Sequence, residues 1–164
     1  MQDDITIRSA VSDDAQIIHA ALEKMAADMG AGEKFVSTVE DVRGYGFGDA
    51  PAFEVLVAEV DGAFAGLCLT FPSFSTWMGK PGLYVQDLFV ADIFRGRRIG
   101  ERLLRATAQR GHARGAAYMR LSVDVDNVRA QAVYDRLGIR YSRSEQIHMI
   151  KGADFDALAG EGEP

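Results

Sequence analysis

The sequence predicts a single α/β (α+β) domain built on a mixed sheet, and three stretches carry that reading. Two apolar runs, 53–60 and 63–71, are joined by Asp61-Gly62, a dipeptide suited to a two-residue hairpin. An apolar and aromatic strand over 85–91 leads through the basic turn Arg95-Gly96-Arg97-Arg98-Ile99-Gly100 into a helix, where Ile99, Leu103 and Ala106 recur at helical spacing. A further strand over 117–125 leads into a helix with Ala130, Val133, Tyr134 and Leu137 on one face, and then into a last strand over 140–150. Paired strands followed by strand–helix–strand–helix–strand imply a mixed sheet with helices against it.

Taken in order, Ile5 to Arg8 alternates as a short first strand. Ser12 or Asp13 opens a helix, with Asp13 and Gln16 spaced as a capping box, and Ile17, Ile18, Ala21, Leu22, Met25 and Met29 form its core face before Gly30. Residues 31–52, with Phe35, Tyr45 and Phe47, are expected to hold a second short helix and a loop. Cys68, between Leu67 and Leu69, has the setting of a buried, inert thiol. Residues 72–82 are expected to be a loop whose aromatics line an acceptor mouth, meet a partner subunit, or simply bury themselves. Asp126 or Asn127 caps the penultimate helix and Gly138 ends it. At 164 residues the chain suits one domain over 1–164. Its tail, from about 153, is expected to fray.

Charge narrows the ligand. The net charge is −6, yet between positions 95 and 120 eight arginines face one acid, Glu101. A long polyanion such as nucleic acid would be repelled by the acidic remainder, so a compact anion held at one place fits better. The turn at 95–100 offers such a place. Gly96 and Gly100 allow unusual torsions or close approach, the helix opens with free N–H groups, and Arg95, Arg97 and Arg98 surround it. Arg105, Arg110 and Arg114 are read as the solvated face of their helix. The acidic N-terminus gives no expectation of a signal peptide, and no apolar run approaches the roughly 20 residues of a membrane span. One cysteine excludes a disulfide framework and suits a cytoplasmic setting. His19, His112 and His148 have no ligand spacing, so no metal is expected. The absence of a Walker A pattern argues against a kinase, and of G-x-G-x-x-G against a nicotinamide enzyme.

The turn resembles the acetyl-CoA pyrophosphate loop of the GNAT superfamily of N-acetyltransferases, Arg/Gln-x-x-Gly-x-Gly/Ala. Arg95, Ile99 and Gly100 fit the pattern, and Arg98 stands where the first signature glycine is usual. Asn127 and Tyr134, followed by Gly138, resemble the family's Asn-x(6)-Tyr-x(3)-Gly segment. The strand from Leu83 to Val90, preceded by Trp77-Met78-Gly79-Lys80-Pro81-Gly82, looks like the diamine and thialysine acetyltransferase branch.

The resemblance implies a mostly antiparallel sheet of six to seven strands flanked by about four helices, acetyl-CoA as cosubstrate, a small-molecule amine acceptor and a homodimer. It implies a bulged strand whose N–H groups, from Leu88, Phe89 and Val90, hold pantetheine and face the thioester carbonyl. Phosphates would rest on N–H groups from about Arg97 to Glu101, and Asn127 would bond coenzyme A or fix its turn. Tyr134 would protonate the departing thiolate. Related polyamine enzymes carry Glu-Asp where this chain has Gln86-Asp87. Glutamine cannot accept a proton, so Gln86 is excluded as the base, and water relayed by Asp87 or a backbone carbonyl is preferred. Strict alternation sets Tyr84, Gln86, Leu88 and Val90 on one face and Val85, Asp87 and Phe89 on the other. Losing one carboxylate favours an amino-acid-like or single-amine acceptor over a polyamine. Acetylation of a protein amine, and a non-catalytic acetyl-CoA sensor, stay open.

Overall fold

The computed structural model describes residues 4–160. One sheet runs in the order β1 (Ile5–Ser9), β2 (Glu54–Val60), β3 (Ala63–Ser75), β4 (Lys80–Val90) and β5 (Met119–Leu121). Neighbours are antiparallel except β4 and β5, which are parallel. Parallel neighbours need a crossover, supplied here by a helix over Ile99–Ala113. In chain order the helices are α1 (Ala15–Asp28), α2 (Val39–Phe47), α3 (Ile99–Ala113), α4 (Val128–Arg136) and α5 (Ala153–Gly160).

Each face of the sheet buries its own apolar layer. On one face Val55, Val57, Leu67, Leu69 and Phe89 pack under Ala15, Ile18 and Ala21 of α1 and Val42 of α2. On the other, Leu56, Ala58, Cys68 and Val85 meet Ile99, Leu103 and Leu104 of α3, with Tyr134 of α4 and Leu137 at its C-cap partly buried against them. Full burial of each such Leu or Ile contributes about 1.5–3 kcal/mol, so these two layers dominate the favourable side of folding. Arg8 ties the first layer to the sheet, bonding Asp14 at 2.7 and 2.9 Å and Glu59 at 2.8 and 3.0 Å. The carboxylate of Asp14 also accepts from the Val11 N–H at 2.7 Å. That arrangement opens α1 in place of the expected capping box at Asp13.

Four boundaries differ from expectation. The sheet has five strands among the described residues rather than six or seven, because residues 140–150 join no strand. The polar run Ser142 to Gln146 interrupts their apolar pattern. The strand expected over 117–125 shortens to Met119–Leu121, because Asp124 folds the chain over: its carboxylate accepts from Asp126 N at 2.8 Å and its carbonyl from Asn127 N at 3.0 Å. Conversely, most of the loop expected over 72–82 is strand, with Pro72 opposite Leu83 and Lys80 opposite Ser75. Where the sequence suggests a frayed tail from Ala153, the chain forms α5, every residue of which is exposed.

Gly66 lets β3 pass close to β4. A Cβ there would lie 2.4 Å from the Phe89 carbonyl oxygen and 3.3 Å from Val90 Cα, both backbone atoms that cannot swing aside. Gly66→Ala is therefore expected to lower unfolding free energy by about 1–3 kcal/mol in urea titration, as overpacking does. A loss below 0.5 kcal/mol, on the order of an ordinary surface change, would show that the two strands are not held in this register.

Candidate active site

The site grows from a defect in β4. Leu69 pairs with Asp87 and Thr70 with Val85, so Gln86 is one residue too many and forms a bulge. Pairing with β5 also stops there: Leu83, Tyr84 and Val85 match Met119, Arg120 and Leu121, and residues 86–90 have no partner on that side. Two parallel strands thus part company, leaving an edge of β4 with backbone groups free for a ligand. Leu88, Phe89 and Val90, the residues expected to bond pantetheine, lie along it.

The bulge also corrects the expected alternation. Val85 packs in the same layer as Leu88 and Val90, facing α3 and α4, whereas strict alternation put it opposite them. The extra residue shifts the phase by one. Asp87, beside Leu69 and two residues from Phe89, projects to the face covered by α1 and α2. Gln86 is exposed.

The basic turn sits at the end of this edge. Arg98 is the N-cap of α3 and adopts φ 58°, ψ 24°, the left-handed region, which explains why glycine suits that position. Helical bonding begins only at Arg102, whose N–H reaches Arg98 O at 3.0 Å. The N–H groups of Ile99, Gly100 and Glu101 therefore open the helix at its positive end. Gly96 is also left-handed, at φ 83°. Gly100 lies against the edge residues: a Cβ there would meet Val90 Cγ2 at 3.6 Å and Leu88 Cδ2 at 3.7 Å, an ordinary contact. The arginines differ in what they do. Arg95 pairs with Asp92 at 2.8 Å and reaches Asp28 at 4.0 Å, tying the turn to α1. Arg97 lies 5.4 Å over the Phe94 ring. Arg98 points into solvent. Glu101 binds Arg105 at 3.0 Å.

Tyr134 approaches from α4. Asn127 sets that helix by accepting from Ala130 N at 3.1 Å, so it acts as a cap here. The Tyr134 ring is half-buried in the layer that holds Leu88, Val90 and Cys68. Burial, and then nearby Cys68, raise its phenol above the ordinary tyrosine value, so it stays protonated through the neutral range. Cys68 is fully buried, and desolvation pushes its thiol up to about 11, which makes it inert. Asp87 is raised to about 6 by desolvation. On the same α1 and α2 face, Leu69, the residue opposite Asp87, lines an open cleft with Leu22, Asp41, Val42, Tyr45 and Phe53. The sequence showed aromatics there without showing that they face a hollow. Tyr84 was likewise missed: it stacks on Phe71, centroids 4.9 Å apart, and bonds Ser122 Oγ at 2.8 Å.

Residues 21–139 match the acetyltransferase (GNAT) family. This chain belongs to that family. It is 30% identical to the thialysine N-epsilon-acetyltransferase of Bos taurus, over 96% of this chain and 98% of that one. It is 26% identical to an L-ornithine N5-acetyltransferase of Arabidopsis thaliana, over 60% of this chain and 43% of that one. Among solved structures, an integron cassette protein of V. cholerae superposes with a TM-score of 0.82 at 16% identity, covering 96% and 98% of the two chains. An aminoglycoside N-acetyltransferase solved with coenzyme A superposes at 0.69 and 16%, covering 93% and 97%. The GNAT chain is thus an acetyl-transferring enzyme near the thialysine-type members. No helix among its described residues is long and apolar enough to cross a membrane.

In this acetyltransferase the raised Asp87 has a cost for stability. Its folded value lies above its unfolded one, so the native state holds its proton longer, and stability falls as pH rises from about 4 towards about 6. Asp87→Asn removes that loss. The variant should gain roughly 1–3 kcal/mol over the parent at pH 7.5, and the gain should vanish by about pH 4, read from urea unfolding across pH. A gain that does not change with pH would contradict a desolvated carboxylate.

Proposed function

We propose that this enzyme moves the acetyl group of acetyl-CoA to a primary amine of a small molecule by direct attack, with Tyr134 as general acid. The observation that carries it is the convergence of three features at one place: the unpartnered edge of β4 after Gln86, the free N–H groups opening α3, and the half-buried phenol of Tyr134.

The residues suit the thioester. The N–H groups of Ile99, Gly100 and Glu101, at a helix N-terminus, supply donors for a diphosphate, and Gly100 leaves the approach free of a side chain. Arg98 adds a solvent-facing guanidinium for a further phosphate. Along the open edge of β4, Leu88 and Val90 turn their main-chain groups outward, towards the pantetheine amides and the carbonyl oxygen, while Phe89 pairs inward with Leu67 of β3. The thioester supplies an activated acyl carbon, and the protein has only to hold it, accept the amine's proton and protonate sulfur.

Those two proton tasks fall on opposite faces of the sheet. Tyr134 lies on the α3 and α4 side, where its phenol is protonated and donates to a thiolate whose acid has an ordinary pKa near ~8.5. Asp87 lies on the α1 and α2 side, the side of the cleft that Leu69 lines. With its pKa about 6 it is ionised at neutral pH, and takes the amine's proton directly or through water. The cleft, with apolar Leu22, Val42 and Phe53 and polar Asp41 and Tyr45, suits a short aliphatic amine. Relatives named for thialysine and ornithine acetylation support that substrate class.

Tyr134→Phe should lower kcat by about 10²–10⁴-fold with little change in KM for acetyl-CoA, as loss of a general acid does. In the parent enzyme kcat/KM should fall as pH drops through about 6, the value at which Asp87 takes up its proton, and Asp87→Asn should abolish that limb. Thiol release measured across diamines, basic amino acids and peptides reads both. Unchanged turnover in Tyr134→Phe would remove its assigned role, and acetylation of peptides alone would move the acceptor to proteins.

A further inference from the structure

On the reading that the cleft on the α1 and α2 face receives the amine, we propose that His19 of α1 is a positioning residue for it. His19 pins the rim of that cleft and thereby holds the wall against which the amine sits. It makes no contact with the reacting atoms.

His19 and Leu22 stand three residues apart on one face of α1, and Leu22 lines the cleft. Across from them the rim is the segment 35–38, which leads into α2 and places Ser37 in the cleft wall. That segment is fixed at its two ends. Phe35 N donates to Gly32 O at 3.1 Å. At the other end Thr38 and Asp41 close a capping box. The Asp41 carboxylate accepts from Thr38 N and Thr38 Oγ1, each at 2.8 Å, and Asp41 N donates to Thr38 Oγ1 at 3.1 Å.

Between those fixings, the backbone of Val36 and Ser37 makes one hydrogen bond to a described residue, and that residue is His19. Nε2 lies 2.8 Å from Ser37 O, and a carbonyl only accepts, so the half-buried imidazole donates. The ring also packs against Phe35, tilted by 57° with centroids 5.2 Å apart. Val36 is 84% exposed, so its side chain gives the segment little hold.

The effect of this latch has a direction. An exposed stretch without a ladder of backbone bonds opens at low cost. The apparent affinity for a ligand then falls with the fraction of molecules whose wall is in the competent shape. Tyr134 works on the opposite face of the sheet, so loosening the rim leaves the departure of the thiolate untouched. A change confined to the amine's KM is the signature.

Thiol release with ornithine and with 1,5-diaminopentane, together with amide hydrogen exchange, tests the latch and its consequence separately. His19→Ala should raise KM for the better of the two amines about 3–10-fold, the range that one hydrogen bond supports. Its kcat and its KM for acetyl-CoA should stay within about twofold of the parent. The amides of Phe35, Thr38 and Asp41 should exchange faster by a similar factor. His19→Leu keeps apolar bulk against Phe35 without a donor and should match His19→Ala. In His19→Gln the side-chain amide nitrogen reaches about as far as Nε2, and both readings should return towards the parent. Unchanged exchange in His19→Ala, or His19→Leu behaving as the parent, would overturn the latch whatever the kinetics. Faster exchange with an unchanged amine KM would overturn the positioning role while leaving the latch in place. A parent that acetylates neither amine would remove the acceptor reading of the cleft, and the positioning role with it.

Discussion

At Gln86 strand β4 carries one residue more than β3 does opposite it, and the arrangement of the site follows from that excess. The bulge shifts the side-chain phase, so Val85 and Leu88 share one layer and Asp87 is sent to the other. It also coincides with the last residue pair between β4 and β5. Backbone groups released there are expensive to leave unmet in an apolar setting, which is why a ligand rich in amides suits the gap. The bulge therefore does two things together: it opens a slot and leaves the Asp87 carboxylate on the face opposite the Tyr134 phenol.

The turn before α3 shows a second constraint. A left-handed residue must end the turn so that the first N–H groups of the helix face outward, and the usual solution is glycine. This chain has Arg98 there, at φ 58°. The left-handed region costs a non-glycine residue on the order of 1–2 kcal/mol, so the turn must be held by other contacts. The Arg95 pairs to Asp92 and Asp28, the Lys24 pairs to Asp28 and Asp92, and Arg97 over Phe94 surround it. These are exposed pairs, individually weak, yet they form a network across the turn and α1.

Much of this was legible in the sequence where the signal was local. The Asp61-Gly62 hairpin, the helix after the basic turn and the Asn127 cap are all set by neighbouring residues, and each stands where the pattern puts it. The bulge was not, because Gln86 looks like any polar residue in a strand and its role depends on the register with β3. Nor was the cleft beside Leu69, which is built from α1, α2, β3 and the segment before β2. The strand expected at 140–150 failed for a related reason: a strand exists by pairing, and the chain contains the pattern without the partner in place. Tyr134 is intermediate. Its spacing from Asn127 was readable, but its half-buried position against Leu88, Val90 and Cys68 required the fold.

The central claim is that amides opening α3, at the end of the unpaired edge of β4, grip the diphosphate of acetyl-CoA. Amide resonances of the ¹⁵N-labelled protein, followed during titration with acetyl-CoA, test it most directly. The account predicts large, saturating shifts at Ile99, Gly100 and Glu101, together with Leu88 and Val90. Saturable binding that leaves those five amides unmoved would contradict it.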